Sequence, residues 1–178
     1  MFDINKINKK NICVMGLMGS GKSIIGKDLS KYLKLNFYDT DREIEIMTKK
    51  SIRNIFKEDG ESYFRDIEEK ICIKLLANKN CVISLGGGSI INKRIRNSIR
   101  KNSYSIYLQV KLENLLNRLR SSNKRPLLNK KMDKKEILQN LYNNRRKFYE
   151  KADFIVNNDN DKFKVLDQIK RELSSYAK

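Results

Sequence analysis

The chain has 178 residues, with 39 Lys plus Arg against 21 Asp plus Glu, a formal net charge of +18, and no histidine. That length buries a core without disulfide or metal staples, and the lack of histidine removes the commonest general base and metal ligand, so proton transfer falls to Asp, Glu or Lys. No stretch approaches the roughly 20 apolar residues that span a bilayer, and Met1-Phe2-Asp3-Ile4-Asn5-Lys6-Ile7 lacks a secretory apolar region, so a soluble cytoplasmic protein without membrane partners is expected.

The first elements set the frame. An apolar strand expected over 11–15 runs into Gly16-Leu17-Met18-Gly19-Ser20-Gly21-Lys22-Ser23, which satisfies G-x-x-x-x-G-K-[ST], and apolar residues at helical spacing follow over 22–33. The glycines let successive N–H groups turn inward around phosphate oxygens, and the helix start adds its positive dipole end. Lys22 is placed to reach the β- and γ-phosphates and the Ser23 hydroxyl to bind Mg²⁺. The nucleotide contacts expected from this loop are Gly19, Ser20, Gly21, Lys22, Ser23 and Ile24.

A second strand over 36–38 ends at Asp39-Thr40-Asp41. Two carboxylates one residue apart can face one cleft, one holding Mg²⁺ through water and the other bonding a substrate hydroxyl or taking its proton; equally, they can cap a helix beginning near Glu43. Short helices are expected over 43–48 and 52–56 and a long one over 61–78, the last carrying Arg65 three residues before Glu68. A third strand over 81–85 leads to Gly86-Gly87-Gly88, which leaves N–H groups accessible and no side chain in the way of a small polar ligand. A helix over 93–101, a strand over 103–108 and a helix over 112–119 follow.

Residues 120–133 then hold the sole proline, in Arg125-Pro126-Leu127-Leu128, among residues with little to pack, and read as a mobile lid whose arginine can swing onto a phosphoryl group in flight. A helix over 134–151 carries Arg145 four residues before Tyr149; a strand over 154–156 and a helix over 162–176 complete the chain. Strands alternating with helices imply a three-layer α/β/α fold with a five-stranded, mostly parallel sheet, in one domain spanning 1–178. In such a sheet ligands bind beyond the carboxyl ends of the strands, where the phosphate loop, Asp39 and Asp41, the triple glycine and the approach to the lid all fall.

Taken together these residues resemble the shikimate kinases, small P-loop enzymes related to the nucleoside-monophosphate kinases. The likeness rests on the phosphate loop, D-[ST]-D at Asp39-Thr40-Asp41, G-E-x-x-F-R-x-x-E from Gly60 to Glu68, the triple glycine, R-P-L-L at Arg125 to Leu128, and the segment from Arg145 through Tyr149 to Ala152-Asp153. It implies ATP-dependent phosphorylation of the 3-hydroxyl of shikimate in aromatic amino-acid biosynthesis. It also implies a substrate-binding region at about 39–65 and a lid at about 120–133. Asp41, Arg65, Gly86, Gly87, Gly88 and Arg145 are implied as shikimate contacts, Ser23 and Asp39 as the Mg²⁺ side, and Lys22, Arg118 and Arg125 as nucleotide and transition-state contacts. Lys22, Asp41 and Arg125 are the implied catalytic residues. Spacing leaves Arg146 as an alternative to Arg145; residues 157–161 carry no diagnostic residue for the nucleotide base.

Three cysteines in apolar runs, Cys13, Cys72 and Cys81, read as buried free thiols. The lysines are spread along the chain without interleaved aromatics, so the charge is expected to act as a general field for anions rather than as a specific nucleic-acid surface, in a monomeric enzyme. The rival readings are a kinase for another anionic polyol such as gluconate, and a basic nucleic-acid-binding P-loop ATPase.

Overall fold

The computed structural model describes residues 4–119, 134–159 and 161–176. Residues 120–133, and with them Arg125 and the expected lid, lie outside the described residues. Five strands, β1 (Asn11–Met15), β2 (Asn36–Asp39), β3 (Cys81–Ser84), β4 (Ser103–Gln109) and β5 (Phe154–Asn157), form one sheet in the order β2-β3-β1-β4-β5. Every adjacent pair is parallel. The helices among the described residues are α1 (Lys22–Leu33), α2 (Thr40–Thr48), α3 (Ile52–Glu58), α4 (Gly60–Ala77), α5 (Lys93–Asn102), α6 (Leu112–Leu119), α7 (Lys134–Tyr149) and α8 (Lys162–Ser175). The expected α/β architecture with a five-stranded parallel sheet is the one found.

Side chains of β1 alternate between two cores, as the pleat requires. Ile12 and Val14 join Leu29 and Leu33 of α1 and Ile169 and Leu173 of α8 on one face. Cys13 and Met15 join Leu75 and Leu76 of α4, Ile95 and Ile99 of α5 and Leu138 of α7 on the other. Both faces are therefore covered, which is why the strands read as continuous apolar runs. Helix α1 follows β1 on one face and α5 follows β3 on the opposite face, so the connections leaving these two neighbouring strands diverge. A crevice opens between them at the carboxyl edge.

Element boundaries agree with the sequence expectations to within a few residues, and the largest difference has a local cause. Helix α2 starts at Thr40, not near Glu43, because the Asp39 side chain accepts hydrogen bonds from the Asp41 and Arg42 amides at 3.1 and 3.3 Å. Asp39 is thus the cap and Asp41 lies in the first turn, so of the two carboxylates that could cap a helix the first one does. Two 3₁₀ turns, Ile4–Ile7 and Ser89–Ile91, had no periodic signal in the sequence. Among the described residues no helix is long and apolar enough to cross a membrane.

All three cysteines are free and buried. Burial pushes the Cys13 thiol up to about 12 and the Cys81 thiol up to about 11, and raises that of Cys72 as well. A thiolate is the reactive form, so the folded protein at pH 8 is expected to resist iodoacetamide while the unfolded chain takes up three equivalents. Because the folded pKa values lie above the ordinary 9.0, the unfolded chain releases protons first as pH rises. Stability is therefore expected to fall above about pH 9, and urea midpoints measured from pH 7 to 10 check it.

Candidate active site

The phosphate loop links β1 to α1 and its glycines are placed by need. Gly19 and Gly21 have φ of 80° and 90°, a left-handed backbone that other residues rarely adopt. A side chain on Gly16 would meet the Ser20 hydroxyl at 2.7 Å and the Leu108 carbonyl at 2.8 Å. Lys22 is 8% exposed and its Nζ donates to the Leu17 carbonyl at 2.9 Å, which folds it back along the loop. The Ser23 hydroxyl donates to Asp39 Oδ2 at 2.5 Å, joining the loop to the end of β2. Lys22, Ser23, Asp39, Asp41 and Arg118 all line one cleft of about 440 Å³, together with Gly19, Gly21 and Ile24.

A second cluster adjoins this cleft. None of Gly86, Gly87 and Gly88 has a positive φ, so the triple glycine answers to close approach and not to backbone strain. A Cβ on Gly86 would lie 2.7 Å from Asp41 Oδ1 and 2.9 Å from the Ser89 hydroxyl; one on Gly88 would lie 2.6 Å from Arg65 NH1. One on Gly87 would lie 3.3 Å from both the Gly16 carbonyl and the Met18 amide. The segment is therefore wedged between Asp41, Arg65 and the phosphate loop. Its start is pinned by the buried Thr40 hydroxyl, which accepts from the Gly86 amide at 2.8 Å.

Two arginines flank these glycines. Arg65 donates to Glu68 at 2.7 Å and to Glu61 at 3.0 Å, and buried Glu68 also accepts from the Ser89 hydroxyl at 2.7 Å. Burial works against the Arg65 charge, but Glu68 and Glu61 outweigh it and hold the guanidinium above its ordinary range. Arg145 is 3% exposed and donates to the Gly87 carbonyl at 3.1 Å, which also accepts from the Tyr149 hydroxyl at 2.6 Å. Burial lowers the Arg145 pKa, and the nearby Arg65 charge adds to the effect. Its buried Nε has no hydrogen-bond partner among the described residues. Arg146 faces outward and pairs with Glu150. Of the two alternatives left by spacing, only Arg145 stands at the glycines.

Arg118, at the end of α6, reaches across to the segment after β5, donating to the Asn158 carbonyl at 2.6 Å and the Asp159 carbonyl at 2.9 Å, with a longer contact of 3.4 Å to the Gly19 carbonyl. Asn158, which carried no signal in the sequence, is 5% exposed and its Nδ2 donates to the Ser20 carbonyl at 2.7 Å. Thr40 and Asn158 are the site residues the sequence reading missed. Asn158 meets its partner across 138 residues of chain, a pairing no local pattern displays.

A family model described as shikimate kinase matches residues 18–174. The chain belongs to the shikimate kinase family. Among curated relatives, the shikimate kinase of Bartonella henselae is 39% identical over 154 residues, 86% of this chain and 73% of that protein. Shikimate kinase 1 of Escherichia coli K12 is 38% identical over 159 residues, 89% of this chain and 92% of that protein. Among solved structures, shikimate kinase from Acinetobacter baumannii in complex with shikimate superposes with a TM-score of 0.90 at 29% identity, covering 94% of both chains. A gluconokinase from Sinorhizobium meliloti, with a TM-score of 0.61 at 16% identity over 93% of this chain and 92% of its own, shares the fold alone.

The wedged geometry makes this shikimate kinase family member sensitive at its second glycine-rich segment. Gly86→Ala is expected to destabilise the fold by about 1–3 kcal/mol, because the added methyl must displace Asp41 or Ser89. Urea unfolding of the variant measures it; an unchanged midpoint would mark the segment as a loose turn.

Proposed function

We propose that the chain transfers the γ-phosphoryl group of ATP to the 3-hydroxyl of shikimate. The observation that carries this reading is the convergence, at one carboxyl edge of the sheet, of a phosphate loop with the carboxylate of Asp41 and two guanidinium groups, Arg65 and Arg145, around Gly86 to Gly88. A carboxylated polyol fits that set. Arginines bind a carboxylate with charge-assisted hydrogen bonds, and the orphaned Arg145 Nε supplies a donor whose burial costs free energy unless an acceptor meets it. Asp41 accepts hydrogen bonds from the ring hydroxyls and takes the proton as the 3-oxygen attacks phosphorus.

Glycines 19 and 21, Ser20 and Ile24 hold the nucleotide with Lys22, which neutralises charge on the β- and γ-phosphates; Arg118 is the further nucleotide contact, and Arg125, outside the described residues, is the transition-state contact. Among the described residues no group of three or more His, Cys, Asp or Glu could hold a metal ion. The oxygens of Ser23 and Asp39, which share a hydrogen bond at the cleft, fit Mg²⁺, an ion that takes one or two protein oxygens and completes its shell with phosphates and water; these two residues would hold it. An ion held there would supply charge neutralisation at the nucleotide phosphates. The enzyme works as a single cytoplasmic kinase domain and as a monomer, with residues 39–65 as the acceptor side. Gluconate and nucleic-acid-stimulated ATP hydrolysis are not favoured, since the relatives at 38–39% identity are shikimate kinases.

Incubation of purified protein with Mg·ATP and shikimate is expected to yield ADP and shikimate 3-phosphate; absence of shikimate-dependent turnover overturns the proposal. Arg65→Ala is expected to weaken shikimate binding by about 1.5–3 kcal/mol, the scale of a charged hydrogen bond, and Arg145→Ala to do likewise while Arg146→Ala changes it by less than about 0.5 kcal/mol. Calorimetric titration with shikimate separates the three. Lys22→Ala and Arg125→Ala are expected to lower kcat strongly with little change in shikimate affinity, measured by steady-state kinetics.

A further inference from the structure

We infer that Asn158 is a positioning residue for the nucleotide phosphates: its side-chain amide holds the Ser20 carbonyl outward and thereby aims the Gly21 N–H into the phosphate-binding cleft. The inference rests on the reading of residues 16–23 as the ATP site. The peptide joining Ser20 to Gly21 is trans, since the described chain has no cis peptide bond, and in a planar trans peptide the C=O and N–H point in opposite directions. Fixing the carbonyl therefore fixes the amide. Asn158 Nδ2 donates to the Ser20 carbonyl at 2.7 Å in a buried position. The Gly21 N–H donates to no protein acceptor among the described residues, whereas the Ser20 N–H is spent on the Leu17 carbonyl at 3.1 Å.

The fit at Gly21 is close. Its φ of 90° brings the peptide against Asn158 so tightly that a Cβ there would lie 2.8 Å from Nδ2. Asn158 is itself held at both ends. Its own amide donates to the Gln109 carbonyl at 2.8 Å, continuing the β4–β5 ladder, and its carbonyl accepts from Arg118 at 2.6 Å. The next residue, Asp159, accepts from the Lys111 amide and the Asn114 side chain, both at 2.8 Å, so the segment is tied to the start of α6. The side-chain amide that aims the loop thus rides on two strands and a helix, not on a free turn. A peptide that must face the β-phosphate is oriented before ATP arrives, and orienting it afterwards would cost binding free energy.

Asn158→Ala and the smaller-change variant Asn158→Ser are tested by calorimetric titration with ADP, with inorganic tripolyphosphate and with shikimate, alongside thermal melting. Both variants are expected to bind ADP and tripolyphosphate more weakly by a similar factor, about 5- to 30-fold, with shikimate affinity unchanged and ATP KM raised more than kcat is lowered. Loss of ADP affinity without loss of tripolyphosphate affinity would make Asn158 a contact to the nucleoside and overturn the inference. Unchanged affinity for both ligands would overturn it too, as would parallel loss of shikimate affinity, which marks general unfolding. Failure of the wild-type protein to bind ADP or tripolyphosphate would instead remove the reading of the loop as the ATP site.

Discussion

Everything around the cleft depends on how closely the backbone of Gly86 to Gly88 approaches the phosphate loop. With 3.3 Å between a Gly87 Cβ position and the loop's main chain, no larger residue sits there without moving one of the two segments. That contact is held from the other side by α7, whose Arg145 and Tyr149 both donate to the Gly87 carbonyl. Tyr149 is in turn stacked on Tyr107 of β4, with ring centroids 5.0 Å apart. One peptide therefore ties the loop after β3 to the loop after β1 and to a helix that arrives some 60 residues later in the chain.

Asp39 does the equivalent for the strand on the outer edge. One of its oxygens caps α2 and the other accepts from Ser23, so the direction in which α2 leaves the sheet is coupled to the start of α1. Asp41, two residues on, is consequently fixed in the first turn of α2, with its carboxylate against Gly86. The Asp41 carboxylate is aimed by a cap and by a missing Cβ, both rigid features. This explains the D-T-D pattern in physical terms. The first Asp caps α2 and meets Ser23, Thr40 is buried and pins the glycines, and the second Asp lines the cleft beside them.

Much of this was legible before any coordinates, and the reasons for the failures are specific. The strands and helices follow from apolar periodicity, and a parallel sheet places the four loop motifs on one edge by topology alone. Which aspartate caps α2 was not legible, because Asp39 and Asp41 both precede a helical pattern and the choice depends on where the strand ends. The choice between Arg145 and Arg146 was open for a similar reason: neighbouring residues on a helix differ by about 100° in direction, and spacing to Tyr149 favours one without excluding the other. Asn158 was invisible for a different reason. Its value lies in a hydrogen bond to a backbone carbonyl, and every residue presents the same carbonyl whatever its side chain.

The charge of the chain as a whole explains little of the site; the local pairing of charges explains more. Arg65 has two carboxylate partners and keeps its charge easily, whereas Arg145 is buried, has no ion-pair partner among the described residues, and lies near enough to Arg65 for the two cations to disfavour each other. Such an arrangement costs stability in the free protein, because a buried cation is retained against both desolvation and like-charge repulsion. Tyr149 and the Gly87 carbonyl offset part of that cost through hydrogen bonds. The remainder is an uncompensated cost in the free protein, of the kind that an anion placed beside Arg145 would relieve. A surface lysine, fully solvated in the free protein, bears no such cost. The local electrostatics beside the glycines accordingly depend on one buried arginine and its neighbour far more than on the net charge of +18.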